Sequence, residues 1–115
     1  MTQKELSEII AKAWNALDAK IMEPCLSDGF EYESFWVFET MKGKVNYLNY
    51  LTGKFNAIKR SGSKIVAHAI FQDGIDEYVI ALEQDGRQDT ALQIWTENGL
   101  VTKMWMRPID LVGMK

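Results

Sequence analysis

Three dipeptides constrain the fold of this chain most strongly: Asp73-Gly74, Asp85-Gly86 and Asn98-Gly99, each set between apolar runs. Asp-Gly and Asn-Gly suit tight turns that need left-handed backbone, and between β-forming runs they read as hairpins. The sequence therefore predicts four strands, over residues 64–71, 76–83, 90–97 and 100–107, joined as a meander. Pro108, which has no N–H to give a ladder, ends the last strand and leaves a short tail. The length of the first turn decides the side on which the single histidine, His68, lies. A two-residue turn at Asp73-Gly74 pairs Ala69 with Tyr78 and sends His68 to the outer face, whereas a three-residue turn brings it inside. An outer, structural histidine is the better reading.

The first half is helical in part. Leu6, Ile9, Ile10, Ala13, Trp14 and Leu17 recur at the i, i+3, i+4, i+7 spacing of one helical face, with Lys4, Glu8, Lys12 and Asn15 opposite. This predicts a helix over 3–19 with Thr2 as its cap. Residues 19–26 suit one or two helical turns broken near Pro24, and Ser27-Asp28-Gly29 interrupts the chain. Residues 30–38 are rich in aromatic and β-branched groups and read as one strand. Its alternation puts Phe30, Tyr32, Ser34, Trp36 and Phe38 inward, and Glu31, Glu33, Phe35, Val37 and Glu39 outward. Lys42-Gly43-Lys44 then turns into a second long helix ending near Arg60, before Ser61-Gly62-Ser63. Val45, Leu48, Leu51, Phe55 and Ile58 form its buried stripe, flanked by Tyr47 and Tyr50. Gly53 inside it implies a close approach of helix to sheet, since glycine there costs about 1 kcal/mol against alanine.

Composition sets the outer limits. A chain of 115 residues fits one domain, over 1–115, with one core. A net charge of -3 and the lack of a basic run exclude an electrostatic footprint for nucleic acid. No apolar stretch approaches the ~20 residues that cross a bilayer, and the polar start MTQKELSE is no export signal. The lone Cys25 cannot form an intrachain disulfide and favours a reducing cytoplasm. One histidine and one cysteine leave no paired metal-ligand spacing, so neither metal nor cofactor is expected. The last two strands carry Trp95, Leu92, Ile94, Met104, Trp105 and Met106 on both faces. One face can be covered by helices, and a homodimer packed through the outer sheet face would cover the other. The element order gives an α+β domain with helices on one side of an antiparallel sheet.

Three stretches carry a resemblance that spans nearly the whole chain: AKAWNALD followed by the Ser27-Asp28-Gly29-Phe30 lead, the Tyr32-x-Ser34 strand with Gly43-Lys44 nine residues on, and the joins LEQDGR and TENGLVTKMWM. They resemble the nuclear transport factor 2-like and SnoaL-like superfamily, which includes ketosteroid isomerase and scytalone dehydratase. The resemblance implies a cone-shaped, cystatin-like α+β roll, in which a curved sheet wraps around helices and encloses a pocket. It implies that Trp14, Tyr32, Ser34, Trp36 and Tyr47 line this pocket, joined in the family register by Tyr78, Gln93, Trp95 and Met104. The alternative is that the same aromatics simply fill a small core.

The resemblance also argues against its best-known chemistry. The isomerases' aspartate base falls on Ser34, whose hydroxyl cannot abstract a proton α to a carbonyl as a carboxylate does. Their oxyanion-stabilising acid falls near Ala91 or Gln93, and His68 alone cannot supply the histidine pair of the dehydratase. Three functions stay open: a pocket that binds a small, largely apolar molecule; a SnoaL-like enzyme using Tyr32, Ser34, Gln93 or His68; and a protein-interaction module using the outer sheet face.

Overall fold

A computed structural model describes residues 1–111; the last four residues of the expected tail lie outside the described residues. Helix α1 (Gln3–Ala16) starts from a full capping box: the Thr2 hydroxyl accepts from Glu5 N–H, and the Glu5 carboxylate accepts from Thr2 N–H. It ends three residues earlier than predicted, because Leu17 takes the left-handed conformation (φ 51°) and caps it. Leu6, Ile10, Ala13 and Trp14 are buried, as the spacing requires. Two short 3-10 turns follow, Ala19–Ile21 and Glu23–Cys25, the second holding Pro24.

The next segment departs most from expectation. Strand β1 (Leu26–Ser34) already includes Ser27-Asp28-Gly29, which reads as a chain break but sits in an irregular stretch of the pairing between Leu26 and Glu31. At its other end the single predicted strand is a hairpin. Phe35 and Trp36 form the turn, and β2 (Val37–Lys42) folds back on β1, pairing Ser34 with Val37 and Tyr32 with Met41. No glycine, asparagine or aspartate marks this turn. Instead the Ser34 hydroxyl accepts from Trp36 N–H at 3.3 Å, and Phe35 N–H donates to the Met106 carbonyl at 2.8 Å.

Gly43, at φ 95°, donates to the Phe30 carbonyl at 2.7 Å and opens helix α2 (Lys44–Ser61), which Gly62 caps at φ 75°. The buried positions of α2 are Tyr47, Leu51 and Phe55; Val45, expected in the stripe, is 70% exposed. The stripe is rotated because Tyr47 reaches the aromatic side chains of β1. Gly53 is also not a point of close approach: a Cβ there would meet nothing within 4 Å.

The meander forms as predicted in order, as β3 (Ile65–Gln72), β4 (Glu77–Gln84), β5 (Arg87–Glu97) and β6 (Leu100–Pro108). Asp85-Gly86 and Asn98-Gly99 make two-residue turns with both residues at positive φ. The first hairpin is longer, with Gln72 opposite Glu77, so Ala69 pairs with Ile80 rather than Tyr78. The shift of two residues preserves the faces, and His68 stays exposed on the outer side.

The sheet order is β2-β1-β6-β5-β4-β3. It is mixed rather than purely antiparallel, because β1 runs parallel to β6. Irregular registers in β1, β4–β5 and β5–β6 bend the sheet around the helices. The core between helices and sheet gathers Leu6, Ile10, Trp14, Phe30, Tyr47, Phe55, Ile80, Leu92, Ile94 and Met104. Among the described residues, no helix is long and apolar enough to cross a membrane.

The outer face is more closed than its sequence suggests. Val79, Ala81, Ala91, Gln93, Trp105 and Arg107 are buried within one chain. Arg107 is the centre of this cover. Its Nε donates to Gln93 Oε1 at 2.8 Å, one terminal nitrogen donates to Gln72 Oε1 at 2.7 Å, and the other to the carbonyls of Pro108 and Ile109.

Candidate functional site

The fold back of β2 creates a cavity of about 430 Å³ against α2. Tyr32 and Ser34 enter it from β1, Val37, Glu39, Thr40, Met41 and Lys42 from β2, and Asn46 and Tyr50 from α2. Alternation along β1 aims Tyr32 toward the helices, where its ring lies 4.9 Å from Tyr47 and 6.0 Å from Tyr50. Its hydroxyl approaches Met106 Sδ at 3.6 Å. Burial raises the Tyr32 hydroxyl well above its ordinary range, and the Tyr50 phenol adds to this; the Ser34 hydroxyl offsets a little of it. Burial, with smaller contributions from Tyr32 and Tyr50, does the same to Tyr47. Both phenols are therefore proton donors at neutral pH, not bases.

The structure separates the nine residues expected in the pocket. Tyr32 and Ser34 line the cavity. Tyr47 and Met104 stand behind it as solid core, fully buried, with the Tyr47 hydroxyl directed at Met104 Sδ at 3.4 Å. Trp14 lies edge-on to Phe55 at 4.9 Å and borders a second, smaller cavity. Trp36 is not an inward strand residue; it sits in the hairpin turn, 56% exposed, against Phe35. Tyr78 packs on Phe71, and its backbone N–H donates to Oε1 of Gln3, at the start of α1. Gln93 and Trp95 lie on the opposite face of the sheet. The register pairs Leu92 with Met106 and Ile94 with Met104 inside, so Gln93 meets Arg107 outside and Trp95 meets Lys103, whose Nζ is 5.2 Å from its ring.

Several lining residues escape sequence reading. Met41 and Asn46 gain their positions from a turn that the sequence does not announce. Glu39 was expected on a solvated face with Glu31 and Glu33, but the hairpin parts them. Glu39 lines the cavity, whereas Glu33 accepts from the Thr40 hydroxyl and pairs with Lys103 at 3.4 Å. The Ser34 hydroxyl closing the turn was the one local signal for the reversal. The cavity thus offers phenol, hydroxyl and amide groups beside Met41 and Val37, with the Glu39 carboxylate and the Lys42 ammonium at its exposed rim. Cys25 is buried, and burial pushes its thiol up, against any role as a nucleophile.

No family model matches this chain. No curated protein matches it either. Solved structures do. The chain has the α+β fold of nuclear transport factor 2-like, SnoaL-like and cystatin-fold proteins. It is similar to an NTF2-like protein of unknown function from Cytophaga hutchinsonii, at 17% identity and a TM-score of 0.67, covering 94% of this chain and 90% of that one. A cystatin-fold protein from Novosphingobium aromaticivorans matches with a TM-score of 0.70 at 14% identity, over 93% of this chain and 98% of the other. A protein from Jannaschia, provisionally named a SnoaL-like polyketide cyclase, gives 0.70 at 12% identity, over 93% and 85%.

Proposed function

We propose that the chain is a small-molecule-binding domain whose site is the cavity between the β1–β2 hairpin and α2. The carrying observation is the cavity itself, about 430 Å³, lined by Tyr32, Ser34, Asn46 and Tyr50 together with the apolar Met41 and, at its open side, Val37. A site of this size and character suits a small, largely apolar ligand held by one or two polar groups. Ser34 in place of a carboxylate base removes isomerase-type proton abstraction from this reading. The buried, unpaired Cys25 fits a reducing compartment such as the cytoplasm. The test uses 1-naphthol, an apolar ring with one hydroxyl, titrated into labelled protein and followed by NMR. Saturable shifts at Tyr32, Ser34, Met41, Asn46 and Tyr50 are expected, weakened in Tyr32→Phe. Absence of saturable shifts at these residues would sink the reading.

A second reading is association of two copies across the outer sheet face, extended by the β1–β2 hairpin. What favours it is the exposure of Phe35, Trp36, Val37 and Phe38 in one continuous run at the sheet edge. Light scattering at micromolar concentration should give a dimer mass, and Trp36→Ser with Phe38→Ser should return a monomer. Because Trp36 is exposed, the substitutions should change the monomer's own stability by no more than about 1 kcal/mol. A monomer mass for the native sequence would remove this reading.

A further inference from the structure

The second cavity, about 90 Å³, lies where α1 and α2 meet the sheet and shares no lining residue with the first. Lys54, Trp14, Thr90, Leu82 and Met106 are among its lining residues. Two of them are unusual for plain core. Lys54 reaches inward from α2, and its ammonium meets Met106 Sδ at 4.0 Å and the Trp14 ring at 5.6 Å, both soft partners without formal charge. Trp14 is 2% exposed, and its indole N–H has no acceptor. Buried donors are ordinarily matched, because leaving one dry forfeits its hydration.

We propose that this cavity takes the carboxylate head of a small organic acid, with Lys54 Nζ and the Trp14 indole N–H as its two donors. An ammonium and an indole offer only donors, so their complement is a group that only accepts. A carboxylate has two such oxygens and carries the charge that Lys54 lacks beside it. The volume of about 90 Å³ is well above what a single water needs and admits the carboxylate and a short aliphatic stem. Leu82 and Met106 receive that stem. Burial holds the Lys54 ammonium below the usual lysine range, a penalty that a bound anion would offset. Asp89, the acidic residue among those lining the cavity, does not fill this role. It is exposed at the rim, accepts from the Thr90 hydroxyl and faces Arg87 at 3.5 Å.

The test titrates propionate, and separately the uncharged propionamide, into the labelled full chain. Propionate should shift the Trp14 indole N–H and the Lys54 and Thr90 amides saturably, and propionamide should not. Lys54→Met keeps the unbranched stem and should weaken propionate at least tenfold; Lys54→Gln is the second variant should the first fail to fold. Equal responses to the two probes, no response at the indole, or unchanged affinity in the Lys54 variants would each overturn the proposal. These resonances are separate from the Met41 and Asn46 signals that report 1-naphthol, so failure at one cavity is read independently of the other.

Discussion

Arg107→Ala should lower the free energy of unfolding by roughly 3–5 kcal/mol, read as a shifted midpoint in urea at unchanged slope. The guanidinium is fully buried on the outer face, and its partners are neutral oxygens: the side chains of Gln93 and Gln72 and the carbonyls of Pro108 and Ile109. Desolvation pulls its proton affinity down, but a guanidinium remains charged at any ordinary pH. Removing it strands the buried Gln93 acceptor, at about 1–3 kcal/mol, frees the half-buried Gln72 oxygen, and empties a large volume beside Ala91. Lysine cannot restore the fork, so Arg107→Lys should recover only part of the loss. A drop below about 1 kcal/mol in Arg107→Ala would mean that water replaces the guanidinium, and that this face is open. The outcome also bears on association, because these contacts are what close the outer sheet face within a single chain.

The second large effect is expected at Tyr47, where two substitutions separate core from cavity. Tyr47→Ala should cost roughly 3–5 kcal/mol, the range for deleting a buried aromatic ring. The ring has no exposed surface and lies 4.9 Å from both Phe30 and Tyr32. Tyr47→Phe should change stability by less than about 1 kcal/mol. Its hydroxyl is matched only to the thioether of Met104, a weak acceptor, so little is lost with it. A Tyr47→Ala cost near 1 kcal/mol would place the ring against water rather than core. 1-Naphthol binding should survive Tyr47→Phe and fall in Tyr32→Phe, because only Tyr32 of the two lines the larger cavity.

Much of the architecture was legible wherever local chemistry and tertiary demand coincide. Thr2 announces the start of α1, the period of Leu6, Ile10 and Trp14 announces its buried face, and Asp85-Gly86 and Asn98-Gly99 announce their turns. The site was legible only in part. Tyr32 and Ser34 follow from alternation on β1, but Trp36 was assigned inward by extending that alternation past a turn. The turn is built from Phe35 and Trp36, neither a turn-former by type. It is held by a serine hydroxyl and by a hydrogen bond to Met106, 71 positions away by number from Phe35. One missed reversal put Trp36 and Phe38 inward, where both are exposed, and hid the cavity wall that β2 supplies. Gln93 and Trp95 were misplaced for another reason: a strand rich in apolar groups on both faces does not say which face the helices cover, and the cross-strand register decides it.

By itself, then, the sequence determined the α+β class, the order of helices and meander, and the cap of α1. Local steric preference and hydrophobic period set these within a few residues along the chain. Only the tertiary structure decided the fold back of β2, the parallel pairing of β1 with β6, the burial of Arg107 among neutral oxygens, and the two cavities beside α2. Each of these depends on contacts between residues distant in the chain, whose free energy exceeds local preference only once the sheet has closed around its helices.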